Sequence, residues 1–531
     1  MMPKRIGSVL IFSATLAGAA EEEWSVVCYT AEAPPPTPSL ESLPLRESVS
    51  QYGITWTFAA PARVGRFVTG DWYVVGPVTI VAIEPRPLWG NEVTDPINQM
   101  EIREDRYAGR QARNGSSLNP PSRGGRAGFD SRAPSGRYDP DRFTPLPIAM
   151  KPGDALVSTI SRPSAEFTKF SGQHADPLRA AAVLCCVAEP LPPDAFRPSY
   201  TDSANSPLRL SRNLRRDRLL ALPRPALPRG GPPANLEGYA RKFQRPWLDL
   251  SDFGFTAPIE NLPHYGQNMV QDEGEATLLL LMDYPPEQKE PLLIGLVQVG
   301  IDFHGVARGG FSWPAHGGLY SGRKWPIVFA GLMLDDPALF QPQKKIAGLR
   351  FAEDDQTAFG PVTYRGATYE RSFSGARAIF MGHSPYLWNS PGHFEKGWGL
   401  IDVLPPAEWP KRSDGGKILA SEGYRRANTS AAWVAQALAA RLLHAEEAWG
   451  HDAFFAYVDR WMTEDDMPLN QAMKEAGWVD YTGTKAGDFG RQSHITGSGS
   501  AWVREMWKTW RNQIPPGPDG ARTPPAETTW K

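Results

Sequence analysis

Residues 54 to 85 read ITWTFAAPARVGRFVTGDWYVVGPVTIVAIEP. Apolar and polar residues alternate between Gly and Pro punctuation, and a period of two is the mark of half-buried strands, here several in antiparallel succession. Downstream, KPGDALVSTIS (151 to 161) reads as a turn followed by a strand, and AAAVLCCVAEP (180 to 190) as a buried strand. The polar stretch from 101 to 145 is rich in Gly, Arg and Ser, and reads as one long loop with little regular structure. Together these segments predict an N-terminal β-sandwich-like domain over residues 51–205.

On the N-terminal side, residues 1–20 resemble a bacterial secretory signal. Lys4 and Arg5 form a basic start, Ile6 to Leu16 a short apolar core, and Ala17-Gly18-Ala19 a small-residue cleavage site. The expected location is therefore secreted or periplasmic, with no membrane association once the signal is removed. Residues 21–50, rich in Pro, Ser and Glu, read as a linker. The formal net charge of −2 gives no reason to expect a nucleic-acid partner. Three cysteines, Cys28, Cys185 and Cys186, make neither a disulfide framework nor a metal motif, although a bridge from Cys28 to either of the others stays open.

On the C-terminal side, residues 206–239 carry a run of arginines among prolines. They read as an interdomain linker wrapping the surface, or as a basic rim for an acidic polymer. Residues 240–515 turn helical. In GRKWPIVFAGLMLDD, Trp325, Val328, Phe329 and Leu332 share one face, with Pro326 tolerated in the first turn. NTSAAWVAQALAARLLHAEEAW starts with cap residues and continues with strong helix formers. Many helices joined by long Gly- and aromatic-rich loops predict an (α/α) toroid or barrel, making the whole a multidomain α+β protein. Residues 516–531 read as a disordered tail.

Chemistry-bearing residues gather in the loops of this half: NLPHYGQNMVQDEGE, GIDFHGVARGG, SWPAHGGLYSGRK, MGHSPYLWNSPGHFEKGWG and EGYRRANTS. In the third, His316, Tyr320, Arg323 and Lys324 stand among Gly317, Gly318 and Gly322. Cations are not favoured by the dipole at a helix start, which singles out Arg323. Fourteen of the 18 tryptophans lie beyond residue 240, as an aromatic sugar-binding surface requires.

Over residues 240–515, the stretches HGGLYSGRKWPIVFAG and NLPHYGQN give the chain a resemblance to the α/α-toroid polysaccharide lyases, and among them to the glucuronan and alginate lyases. The resemblance implies β-elimination on an anionic polysaccharide: a base removes the proton beside the uronate carboxylate, polar groups neutralise that carboxylate, and an acid protonates the leaving oxygen. It implies no metal and no cofactor. Tyr320, with Arg323 and His316 nearby, becomes the expected proton-transfer group, and His264 an alternative base. Asn268, Arg308 and Arg323 would grip the carboxylate, and Trp313, Trp388 and Trp398 would stack on sugar rings. His304, His383, Tyr424 and Arg425 complete the expected substrate-binding set.

Two other readings stay open. A glycoside hydrolase needs two carboxylates across the scissile bond, and Asp272, Glu273, Asp302 and Glu395 supply candidates. A non-catalytic glycan-binding protein would account for the tryptophans but not for the His-Tyr-Arg grouping. The sequence leaves the oligomeric state undetermined.

Overall fold

The computed structural model describes residues 24–94, 107–133, 137–167, 176–224, 235–250, 258–263, 265–387, 389–390, 392–410, 420–478, 500–517, 520 and 530–531. The expected signal at 1–20 lies outside them, as do His264 and Trp388.

Strand β2 (Ile54–Arg66) organises the N-terminal half. It pairs with β1 (Leu45–Gln51) on one side and with β4 (Val78–Glu84) on the other, while its last residues pair with β3 (Trp72–Val75). Arg46 faces Ala62 but Ser48 faces Thr57, so residues 58 to 61 of β2 bulge against Glu47. Pro61, which has no N–H to give a ladder, sits in this bulge, and such extra residues bend and twist a strand.

The sheet then continues without a break. β3 runs parallel to β10 (Leu178–Val187), β10 antiparallel to β9 (Ala155–Ser161), and β9 antiparallel to β7 (Ser116–Leu118). At the other edge β4 pairs with β8 (Ile148–Met150). Leu88–Trp89 (β5) and Ala112–Arg113 (β6) form a small separate ribbon.

The result is one curled, mixed, eight-stranded sheet, a half-barrel, and not the expected β-sandwich. Alternation along a strand shows that it has an inner face but not which strand lies beside it. The parallel β3–β10 pairing merges what read as two layers. The 101–145 segment is also more ordered than expected. It contributes β6 and β7, and Arg132 is buried against Asp130 at 2.7 Å.

The curl encloses Ile54, Trp56, Val64, Ile80, Leu156 and Leu184. The opposite face, with Tyr73, Val157, Val183 and Cys185, joins a second core shared with the helices. Both faces being covered explains why β10 is buried almost throughout. Arg197 pins the two halves together. Its guanidinium meets Asp71, between β2 and β3, at 2.7 Å and Asp302 on a core helix at 2.6 Å, all fully buried.

The helices are α1 (Leu236–Gln244), α2 (Gly266–Leu280), α3 (Pro286–Arg308), α4 (Lys324–Leu334), α5 (Pro342–Lys345), α6 (Ala352–Asp355), α7 (Ala420–Tyr424), α8 (Ser430–Leu442), α9 (Glu446–Trp449), α10 (Asp452–Thr463), α11 (Met467–Glu475) and α12 (Ala501–Trp510). Helix α1 packs on α3, α3 on α4, α2 on α8 and α8 on α10. Between α6 and α7 the chain forms two small antiparallel ribbons, Thr357–Phe359 with Ala378–Phe380 and Val362–Tyr364 with Ala367–Tyr369. These ribbons interrupt the helical succession, and the sheet shares the helices' core. The expected plan of a sandwich followed by a separate toroid is therefore replaced by a half-barrel and a helical region built on one another.

Within 206–239, Arg209 pairs with Asp336, Arg212 with Asp194, Arg215 with Asp217 and Arg216 with Glu290, while Arg229 lies outside the described residues. Most of the expected tail at 516–531 also lies outside them; the Trp530 carbonyl accepts the Arg377 N–H at 2.8 Å. Among the described residues, no helix is long and apolar enough to cross a membrane.

Candidate functional site

Four segments converge on one polar, aromatic cluster. Tyr265 comes from the start of α2, His316 to Gly318 from the loop before α4, His383 to Trp398 from the loop after the ribbons, and Tyr424 to Asn428 from the junction of α7 and α8. That junction, Arg425–Thr429, is a π-helical turn, in which the Ser430 N–H reaches back five residues to the Arg425 carbonyl. The Thr429 hydroxyl donates to the Tyr424 carbonyl at 3.1 Å, which supports the widened turn. Such insertions re-aim side chains and recur at functional sites. Here the turn places Tyr424 and Asn428 in the same cluster.

His383 forms the buried floor. Its ring lies 4.8 Å from that of His316, stacks on Trp398 at 5.5 Å, and meets Tyr424 edge-on at 4.5 Å. His383 Nδ1 lies 2.6 Å from the Ser384 hydroxyl, its backbone N–H donates to Ser421, and its carbonyl accepts the Gly317 N–H. Burial lowers the pKa of both His316 and His383, so both rings are held in the neutral form.

Above this floor, Asn428 donates its amide to the Tyr265 hydroxyl at 2.9 Å. Burial raises the Tyr265 pKa, keeping the phenol protonated, and Tyr265 also hydrogen-bonds with Tyr424. With its oxygen accepting from Asn428, Tyr265 has its own proton to offer Tyr424. Tyr265, His316, Trp398, Tyr424 and Asn428 are all half-buried, so the cluster has a solvent-facing side.

The glycines permit this approach. Gly317 has φ +56°, and a Cβ there would lie 2.5 Å from the Tyr424 ring and 2.8 Å from His383 Nε2. A Cβ on Gly318 would press on the Asn428 carbonyl at 2.5 Å. Only glycine lets the loop slide beneath those rings.

Of the residues singled out in the sequence, the structure brings His316, His383, Trp398 and Tyr424 together. The others lie elsewhere. Tyr320 is 5% exposed and belongs to the apolar core. Arg323 is fully buried, with Nε on Asp249 at 2.9 Å. Trp313 is buried too, stacked on Phe351 and donating to the same Asp249 at 3.0 Å. These three fix the loop to the core and do not line the cluster. Arg425 is buried in a two-bond pair with Glu422 at 2.8 and 3.0 Å. His304 and Arg308 sit at the C-terminal end of α3, where Arg308 pairs with Asp202 at 3.1 Å. Asn268 is exposed on the first turn of α2.

The tryptophans beyond residue 240 are mostly core, including Trp247, Trp325, Trp433 and Trp449. Tyr265 stood in the sequence clusters without a role, and Asn428 read as part of a helix cap. The structure gives both a place. A helix cap and a π turn draw on the same Asn-Thr-Ser chemistry, so that sequence alone does not separate them.

The carboxylates do not flank the cluster as a pair. Asp302 is held by Arg197, Asp272 meets Lys242 at 2.6 Å, and Glu273 is fully buried. Among the described residues, no group of three or more His, Cys, Asp or Glu side chains could hold a metal ion. Cys28 is exposed while Cys185 and Cys186 are buried, all as free thiols. The chain matches no family model, no curated protein and no solved structure.

Proposed function

We propose that the protein is a lyase that cleaves a uronic-acid-containing polysaccharide, such as alginate or glucuronan, by β-elimination at the His316–His383–Trp398–Tyr424 cluster. The observation that carries this reading is the meeting of a phenol, two neutral imidazoles, an amide donor and an indole on one half-buried surface. Each matches a need of the reaction. Neutral His316 is the group assigned to take the proton beside the carboxylate, and the Tyr424 phenol, hydrogen-bonded with Tyr265, to give one to the leaving oxygen. The Asn428 amide supplies hydrogen bonds to the carboxylate as charge builds on it. Trp398, with Lys396 5.1 Å over its ring, offers a stacking face and a nearby cation to an acidic sugar.

The roles first expected for Tyr320 and Arg323 pass to Tyr424 and Asn428. The hydrolase reading is less well supported, because Asp272, Glu273 and Asp302 are paired or buried away from this surface, which leaves exposed Glu395 without a second of the named carboxylates opposite it. A secreted or periplasmic setting, expected from the start of the chain, is part of the proposal.

The test is a scan of purified protein against alginate, glucuronan, pectate and glycosaminoglycans, following the ultraviolet absorbance of unsaturated product. A rise that Tyr424→Phe lowers by about 100-fold or more supports the reading. New reducing ends without absorbance would replace it with hydrolysis.

A further inference from the structure

A cleft of about 940 Å³ lies between the curled sheet and helices α1 and α3, sharing no residue with the cluster above. Its sheet side carries Trp24, Gln51, Tyr52 and Arg66, and its helix side Arg241 and Arg245. Arg66 stacks on Trp72 at 3.9 Å with Trp24 at 5.4 Å, and its Nη1 donates to the Gly70 carbonyl at 3.1 Å. Arg245 lies 4.7 Å over the Tyr52 ring. Stacking fixes both guanidinium planes at the cleft with little left to order on binding.

Glu237 and Glu287 also line the cleft. Arg241 pairs with Glu237 and Arg245 with Glu260, side chains exposed enough for such pairs to exchange at small cost.

Gln51 lines the cleft without offering it an acceptor: its amide nitrogen donates to Asp71 at 2.8 Å and its amide oxygen is buried. The chemistry on offer is that of the walls, three guanidinium groups and two aromatic rings, which suits a sugar acid with its carboxylate and its apolar ring face.

We propose that this cleft is a second binding site for an acidic polysaccharide, with Arg66, Arg241 and Arg245 meeting uronate carboxylates, and Trp24 and Tyr52 presenting aromatic surface. The choice of a uronate rests on the lyase reading, but binding in the cleft is measured without turnover.

The experiment uses the full chain carrying Tyr424→Phe, titrated calorimetrically with size-fractionated alginate and polyglucuronate. In that background Arg241→Ser/Arg245→Ser should weaken binding of at least one polymer by about ten-fold or more, with an unchanged thermal midpoint. Trp24→Ala, at a separate position, should weaken it in the same direction. In the chain with Tyr424 intact, the double variant should raise KM for long polymer while leaving trisaccharide cleavage unchanged. Unaltered affinity in both variants, no binding of either polymer, or equal binding of polyaspartate would overturn the proposal. Affinity lost in the variants, in a protein that cleaves nothing, would sustain the cleft while refuting the lyase reading.

Discussion

The side-chain amide of Asn428 donates to the Tyr265 hydroxyl at 2.9 Å, joining residues 163 positions apart. One stands at the first turn of α2 and the other in the π turn before α8. The bond fixes which way the phenol points and which of its lone pairs is used. Removing the amide therefore disturbs the cluster more than the fold.

Asn428→Ala should lower turnover on the preferred uronate polymer by about 100-fold, the scale seen when one transition-state donor is lost. Its stability cost should be about 1 kcal/mol, that of a single hydrogen bond. Steady-state kinetics beside urea denaturation separate the two. A large loss of stability with normal turnover of the folded fraction would assign Asn428 to structure alone.

Gly317→Ala tests the glycine loop. A Cβ at φ +56° is strained, and this one would drive into Tyr424 and His383. We expect destabilisation of about 1–3 kcal/mol together with loss of activity. Gly348 is the control: it also has positive φ, but a Cβ there meets nothing within 4 Å, so Gly348→Ala should leave activity intact.

Arg323 gives the opposite pattern. It pairs with Asp249 in full burial, and Asp249 also accepts the Trp313 indole. Arg323→Leu leaves that carboxylate buried without its cation, which should cost about 3–5 kcal/mol. The Asp249→Asn/Arg323→Leu double variant should recover part of it, because the stranded charge is gone. A fully stable Arg323→Leu protein that has lost activity would return Arg323 to the chemistry.

The helices were legible where apolar spacing is strong. Trp325, Val328 and Phe329 set α4, and Phe454, Val458 and Trp461 set α10. Strands β2, β9 and β10 were legible from alternation. Their order was not, because the β3–β10 pairing depends on contacts more than 100 residues apart along the chain. Of the candidate site, His316, His383, Trp398 and Tyr424 could be picked out as chemistry-bearing residues on glycine-rich loops. Tyr320 and Arg323 shared that signature and proved buried. Residue type marks what a side chain can do, and burial decides whether it meets a ligand or the core.

Glu353 makes stability depend on pH in a direction opposite to that of a paired surface carboxylate. It is fully buried, accepts the Gly322 N–H at 2.6 Å, and its pKa is pushed up to about 7, chiefly by burial. Glu273, which approaches the same glycine, is pushed the same way by burial and by Glu353. In the unfolded chain a glutamate loses its proton near pH 4.3, whereas the folded chain retains it to about pH 7. Between those values the folded state binds more protons, so stability falls as pH rises through the window and levels off above it. A shift of this size corresponds to roughly 3–4 kcal/mol across the window. Other buried carboxylates, such as Asp302, contribute with the same sign. The informative quantity is therefore the difference between the natural chain and Glu353→Gln, which keeps the shape and removes the titration. Urea midpoints measured from pH 4.5 to 8 should fall more steeply for the natural chain than for the variant. Parallel curves would mean that Glu353 ionises as an ordinary glutamate and that the loop before α4 is held without its proton.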